Sequence, residues 1–255
     1  MSEAKAEAIR AENIVKTFGT VQALDGVSMH VARGETLGIL GDNGAGKSTL
    51  IKILTGYHQP DGGQVYVDGA AVRLGSVDEA RALGIECVYQ DLALVNGLSI
   101  YHNMFLNREL FWAGPLKLLD HKAMRRRAAD ALAEIGVSIP SVDVEVGQLS
   151  GGQRQAIAVA RAVYSNARIL LLDEPLAAMG AREARLIIDL IDRLRARGDI
   201  AIVMIAHNYA QTLEICDRVM LFQHGQVTFE SATGETSAEE LLEIVRREYR
   251  AARAR

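Results

Sequence analysis

The stretch that most constrains this chain is GDNGAGKST, from Gly41 to Thr49. An apolar run, Thr36-Leu37-Gly38-Ile39-Leu40, precedes it and reads as a short buried strand. Leu50-Ile51-Lys52-Ile53-Leu54 follows, with the spacing of a helix that faces a core. Strand, glycine-rich loop and helix together are the context in which G-x-x-x-x-G-K-[ST] cradles phosphates. Gly41, Gly44 and Gly46 let the backbone curl so that successive N–H groups point inward. The cradle therefore comprises Gly41, Asp42, Asn43, Gly44, Ala45, Gly46, Lys47, Ser48 and Thr49. The positive end of the following helix points to the same place. Lys47 can reach β- and γ-phosphates, and the Ser48 hydroxyl can hold Mg²⁺. These residues imply a nucleoside triphosphate ligand.

Composition narrows the setting. At 255 residues the chain has room for one large α/β domain, or a core and a subdomain. A net charge of -4 argues against a nucleic-acid binder that relies on a basic surface. Cys87 and Cys216 have no metal-ligand spacing and sit in apolar stretches, as reduced core cysteines of a cytosolic protein do. Met1 to Arg10 lacks the apolar core of a signal peptide. No apolar run approaches the ~18 residues of a membrane span, so a membrane role has to come through a partner.

Along the chain, residues 1 to 11 are Ala- and charge-rich and are expected to fray. Short strands are expected at 13–16 and 27–31, with a turn between Thr17 and Thr20 that contains Phe18. Phe18 is suited either to stacking on a base or to plugging the edge of a small sheet. Gln59 to Gly63 is a turn, and the strand after it ends in Asp68-Gly69, the mark of a hairpin. Ser76 and Glu79 read as the capping box of a short helix. A buried strand at 85–89 then delivers Gln90 to the edge where ligands of open α/β sheets collect. Gln90 could orient water or complete a metal shell, or be simply a polar strand end. From Leu92 to Gly147 the pattern turns helical, with starts at Ser99 and Asp120, and Arg125-Arg126-Arg127 reads as a solvated helix face.

Leu149-Ser150-Gly151-Gly152-Gln153 runs straight into a helix. Ser150 is an N-cap residue type, and the glycines leave N–H groups open, so this is either a second anion site or an ordinary capped turn. Residues 168 to 172 form an apolar strand that exits into Asp173-Glu174. A carboxylate at Asp173 can serve Mg²⁺, and Glu174 can polarise an attacking water. Ala181 to Arg197 is a helix closed by Gly198, and the strand 200–206 delivers His207 to the same edge. A hairpin (218–222 and 225–229) and a helix capped at Ser237 complete the chain.

Phosphate loop, Gln90, LSGGQ, Asp173-Glu174 and His207, in that order along nearly the whole chain, resemble the ATP-binding subunit of an ABC transporter. The LSGGQ pentapeptide is that family's own signature. The resemblance implies a P-loop NTPase (RecA-like) α/β core with an antiparallel β subdomain, together 10–90 and 150–232. It also implies an inserted helical subdomain at 91–149 and a C-terminal helix at 233–255. It implies ATP and Mg²⁺ as cofactors, Phe18 against adenine, and Ser48, Gln90 and Asp173 at the metal. Ser150, Gly151 and Gly152 would meet the γ-phosphate held by an opposite subunit, with Gln153 beside them in the nucleotide-binding set. Glu174, His207, Lys47 and Gln90 would form the catalytic set.

Leu176, Gly180 and Ala206 depart from residues common in the family, where Thr or Ser, Asp, and Ser or Thr are usual. Ala177 to Gly180, GDNGAGKSTLIKIL, Phe105 to Glu109 and His207-Asn208 look like the branch that serves ribose, xylose and fructose importers. The implied protein is a homodimeric ATPase on the inner face of the cell membrane. It would drive a separate transmembrane permease, supplied by an extracytoplasmic sugar-binding protein, and bind no nucleic acid. Alternatives of the same resemblance are a non-transport ABC ATPase, or one serving another solute or an exporter. No N-K-x-D motif of a GTPase is present.

Overall fold

The computed structural model describes residues 6–113, 116–177 and 179–253. Two long strands open it, β1 (Glu7–Phe18) and β2 (Val21–Ala32), and then β3 (Thr36–Gly41) runs into α1 (Lys47–Leu54). β4 (Gly62–Val67), β5 (Ala70–Val72), α2 (Val77–Ala82) and β6 (Ile85–Val88) follow. The middle of the chain is helical: α3 (Ile100–Phe105), α4 (His121–Glu134) and α5 (Gly151–Tyr164). Alternation then resumes with β7 (Ile169–Asp173), α6 (Ala181–Arg197), β8 (Ala201–Ile205) and α7 (Tyr209–Ile215). The chain closes with the hairpin β9 (Arg218–Gln223) and β10 (Gln226–Ala232), and then α8 (Ala238–Arg253).

Among the described residues these strands make two sheets. The smaller has the order β2-β1-β4-β5 and is antiparallel throughout. The larger has the order β10-β9-β3-β8-β7-β6, parallel except for β10. Because side chains alternate across a strand, the larger sheet divides the interior in two. Leu170 and Leu172 of β7 and Ile202 and Met204 of β8 face the core built with α5 and α6. Ile169 and Leu171, and Ala201, Val203 and Ile205, face the opposite core, shared with α1 and the small sheet. Strands buried on both faces cannot alternate with polar residues, and so β7 and β8 read as continuous apolar runs.

Several features differ from the sequence reading. Residues 7–11 are strand, not frayed chain: Ala8, Ile9 and Ala11 are buried, and β1 pairs with both β2 and β4. The helix starting at Ser99 stops at Phe105, where Leu106 turns to extended backbone and Asn107 adopts a left-handed φ of 62°. The box at α2 is displaced: Ser76 accepts from the Glu79 N–H, but Glu79 Oε2 reaches past Ser76 to the N–H of Gly75. Tyr209–Ile215 is a helix, held by the Asn208 side chain accepting from the Gln211 N–H, a cap not seen in the sequence reading. Arg125 is exposed and bonds Asp143, as a solvated face requires. Burial pushes the thiols of Cys87 and Cys216 far up, and both are unpaired cysteines.

Candidate nucleotide site

β3 delivers the phosphate loop at its C-terminal end, flanked by β9 on one side and β8 on the other. Two glycines are indispensable to the turn. Gly41 has φ 142°, and a Cβ there would lie 2.2 Å from the carbonyl oxygen of Phe222. Gly46 has φ 106°, with Ala23 O 2.5 Å from the same imagined atom. The loop is braced from outside, since the Gly225 N–H donates to Ala45 O at 3.0 Å. Lys47, buried at the base of α1, donates to the carbonyls of Gly41 at 2.6 Å and Asp42 at 2.7 Å. Burial holds its pKa below the usual lysine value, against the opposing pull of Glu174, Asp42 and Asp173. Ser48 is exposed and Thr49 half-buried, on the first turn of α1.

The acidic pair comes from the end of β7. β8 stands between β3 and β7. The pair still reaches the loop, because both carboxylates interact electrostatically with Lys47. Burial, and then the neighbouring Glu174, push the Asp173 carboxyl above its usual range, while Lys47, Lys52 and His207 pull it down. Glu174 has left the strand with φ 53°, its N–H bonded to Ile205 O at 3.1 Å. That left-handed turn aims its side chain at the end of β8, where Glu174 Oε1 and His207 Nε2 are 2.5 Å apart. Lys47, Asp173, Glu174 and His207 thus converge from α1 and the ends of β7 and β8.

The other expected residues lie around this group. Gln90 is exposed in the turn beyond β6, the strand next to β7. Phe18 ends β1 with 43% of its surface exposed. Its ring meets His58 edge-on at 5.2 Å, with Lys16 Nζ 5.5 Å from its centroid, so its outer face remains an aromatic platform. Ser150 caps α5, and the full capping box with Gln153 is formed. Gly151 and Gly152 press against α6, where a Cβ on Gly152 would lie 2.9 Å from Glu183 Cβ.

Three contributors had no signal in the sequence reading. The β9–β10 turn braces the loop through Gly225, and His224 lines a cleft with Asp42 to Ala45 and Glu248 of α8. Lys52 lies one turn along α1 and acts on Asp173. Glu183 accepts from the Gly152 N–H at 3.4 Å. Each contact spans tens of residues of sequence and carries no motif.

A family model described as "ABC transporter" matches residues 24–177. The chain belongs to the ABC transporter family. It is 44% identical over 237 residues to the xylose/arabinose import ATP-binding protein XylG of Sulfolobus acidocaldarius, covering 93% of each chain. It is 42% identical to the fructose import ATP-binding protein FrcA of Rhizobium meliloti, covering 86% of this chain and 85% of that one. The ribose import ATP-binding protein RbsA of Chromobacterium violaceum is 37% identical, and here the match covers 93% of this chain but only 46% of the relative. Among solved structures, the ADP conformation of the ATP-binding cassette MJ1267 matches with a TM-score of 0.77 at 30% identity, covering 92% of this chain and 93% of that one. A dimeric ABC transporter cassette, MJ0796, matches with a TM-score of 0.73 at 26% identity, covering 88% and 98%. The resemblance read from the motifs, its sugar-importer branch included, and the P-loop α/β fold class are both borne out.

Proposed function

We propose that this chain is the ATP-hydrolysing subunit of a sugar importer, working as a dimer on a separate transmembrane permease. The observation that carries the catalytic part is the convergence of Lys47, Asp173, Glu174 and His207 beside a glycine cradle. Lys47 binds the β- and γ-phosphates, giving up its bonds to Gly41 O and Asp42 O. Phe18 offers a ring face to the adenine. The oxygen donors of Ser48, Asp173 and Gln90 fit a hard cation, and half-buried Asp173 supplies the charge a divalent ion needs. Mg²⁺ held there would neutralise charge on the phosphates.

Glu174 takes a proton from water as its oxygen attacks the γ-phosphorus and the bond to the β–γ bridging oxygen breaks, leaving ADP and phosphate. His207, at 2.5 Å from Glu174 Oε1, holds that carboxylate in place and faces the γ-phosphate. Ser150, Gly151, Gly152 and Gln153 present a capped helix start to the γ-phosphate of a second subunit. Sugar import is supported by the relatives, which are named for xylose/arabinose, fructose and ribose import. No described helix is long and apolar enough to cross a membrane, and so attachment to the inner face of the cell membrane runs through the permease. A sugar-binding protein outside the membrane would supply the solute.

Light scattering of Glu174→Gln with and without Mg-ATP tests the dimer. Doubling of the solution mass on adding Mg-ATP is expected; a variant that binds ATP and remains monomeric at every concentration refutes the two-subunit site. Copurification with its permease and sugar-stimulated ATP turnover test import. A permease-bound complex that ignores pentoses and hexoses refutes the sugar assignment.

A further inference from the structure

Glu183 is the side chain that joins two parts of the dimeric machinery within one subunit. It stands in the first turn of α6, which begins six residues beyond Glu174 at the N-cap Gly180. Its Oε1 accepts from the N–H of Gly152, in the first turn of α5, at 3.4 Å. The contact is close along the backbone as well: a Cβ on Gly152 would lie 2.9 Å from Glu183 Cβ and 3.2 Å from its Cα. A Cβ on Gly151 would lie 3.8 Å from Glu183 Oε1. The carboxyl is held below its usual range by the Gly152 N–H first, then by the Ser150 hydroxyl, with Gly180 and Gly151 N–H groups adding to the effect. One carboxylate therefore lies against the N-terminal turns of two helices, where partial positive charge gathers. Gly180 has no side chain with which to make such a link.

We propose that Glu183 is a positioning residue that ties the Ser150–Gln153 turn to the segment following Glu174, and so couples the two ATP sites. This rests on the two-subunit reading above, in which the turn serves the partner's nucleotide while Glu174 serves its own. A hydrogen bond of 3.4 Å is long, and a phosphate oxygen is a stronger competitor for the same N–H. When the partner's γ-phosphate takes the Gly152 N–H, Glu183 is released and the start of α6 is free to shift. That start leads directly back through residues 175–180 to Glu174. Occupation of one site is thereby felt at the other.

Glu183→Ala and Glu183→Gln, each combined with Glu174→Gln, test this by two readouts. Binding of a fluorescent ATP analogue to the monomer reports the subunit's own phosphate loop, and light scattering against ATP concentration reports closure of the dimer. Monomer affinity should not change. Glu183→Ala, which removes the competitor for the Gly152 N–H, should need roughly tenfold less ATP to double in mass, and with Glu174 intact its ATPase Hill coefficient should fall to about 1. Glu183→Gln, which keeps an acceptor for Gly152, should recover part of both. Doubling and Hill coefficient unchanged in Glu183→Ala would overturn the proposal and leave the dimer reading intact. A parent Glu174→Gln chain that binds the analogue but never doubles would overturn both.

Discussion

Replacing Glu174 by Gln separates binding from chemistry in this site. The substitution is nearly isosteric, it keeps an acceptor for His207, and the left-handed φ of 53° is no worse for Gln than for Glu. What disappears is the proposed base and one negative charge. General-base catalysis contributes about 10²–10⁴ in rate, which corresponds to roughly 2.7–5.5 kcal/mol in the barrier. The lost charge acts in the opposite direction on binding. Glu174 raises the pKa of Lys47 and of Asp173, so its removal lets Lys47 drift further down while Asp173 ionises more readily. A site with one negative charge fewer attracts a triphosphate at least as strongly. The expected outcome is turnover lower by about a hundredfold or more, with nucleotide affinity equal or tighter. Phosphate release at saturating Mg-ATP measures the first and a fluorescent ATP analogue the second. Turnover within about tenfold of the wild type would refute Glu174 as the base. Equal losses in affinity and turnover would refute the separation of roles.

Three further outcomes follow from the same geometry. Gly41→Ala forces a Cβ to 2.2 Å from Phe222 O at φ 142°, and should cost at least about 3 kcal/mol, lowering Tm by roughly 6–12 °C and abolishing nucleotide binding; an unchanged melting curve would contradict the packing at β3 and β9. Asn103, fully buried, accepts from the Val95 N–H and donates to the carbonyls of Val95, Leu98 and Ser99. Asn103→Ala should cost about 1–3 kcal/mol by orphaning these groups, read by chemical denaturation, with protease sensitivity rising first in residues 92–99. Because the folded-state pKa of Glu183 lies below its ordinary 4.5, its contribution to stability is present above that value and lost as pH falls through the folded one. The Tm difference between wild type and Glu183→Gln should therefore be present at pH 7 and shrink on acidification below about pH 4.5. A difference independent of pH would remove the charge from the explanation.

Motif-bearing positions were legible because their chemistry is local. A phosphate cradle needs glycines at fixed spacing within nine residues, and Ser150 caps α5 through the backbone three residues on. The exits of β7 and β8 were legible because a parallel sheet buried on both faces demands uninterrupted apolar runs, whose polar ends then stand out. Strand order was not legible. Nothing in Ile169–Asp173 or Ala201–Ile205 says which lies against β3, since both are equally apolar. The N-terminal strand was misjudged because Ala8, Ile9 and Ala11 look unremarkable until β2 and β4 bury them from either side.

By itself, then, the sequence determined the class of fold, the family and ATP as the ligand, because these depend on backbone conformations and side-chain types that short stretches can specify. The tertiary structure alone decided that β8 stands between the loop and the acidic pair, and that Glu174 turns towards His207. It also decided that Gly225 braces the cradle and that Glu183 lies on the Gly152 N–H. Such contacts join segments far apart in the chain, and their geometry is set by how two cores pack across one sheet, which no local pattern encodes.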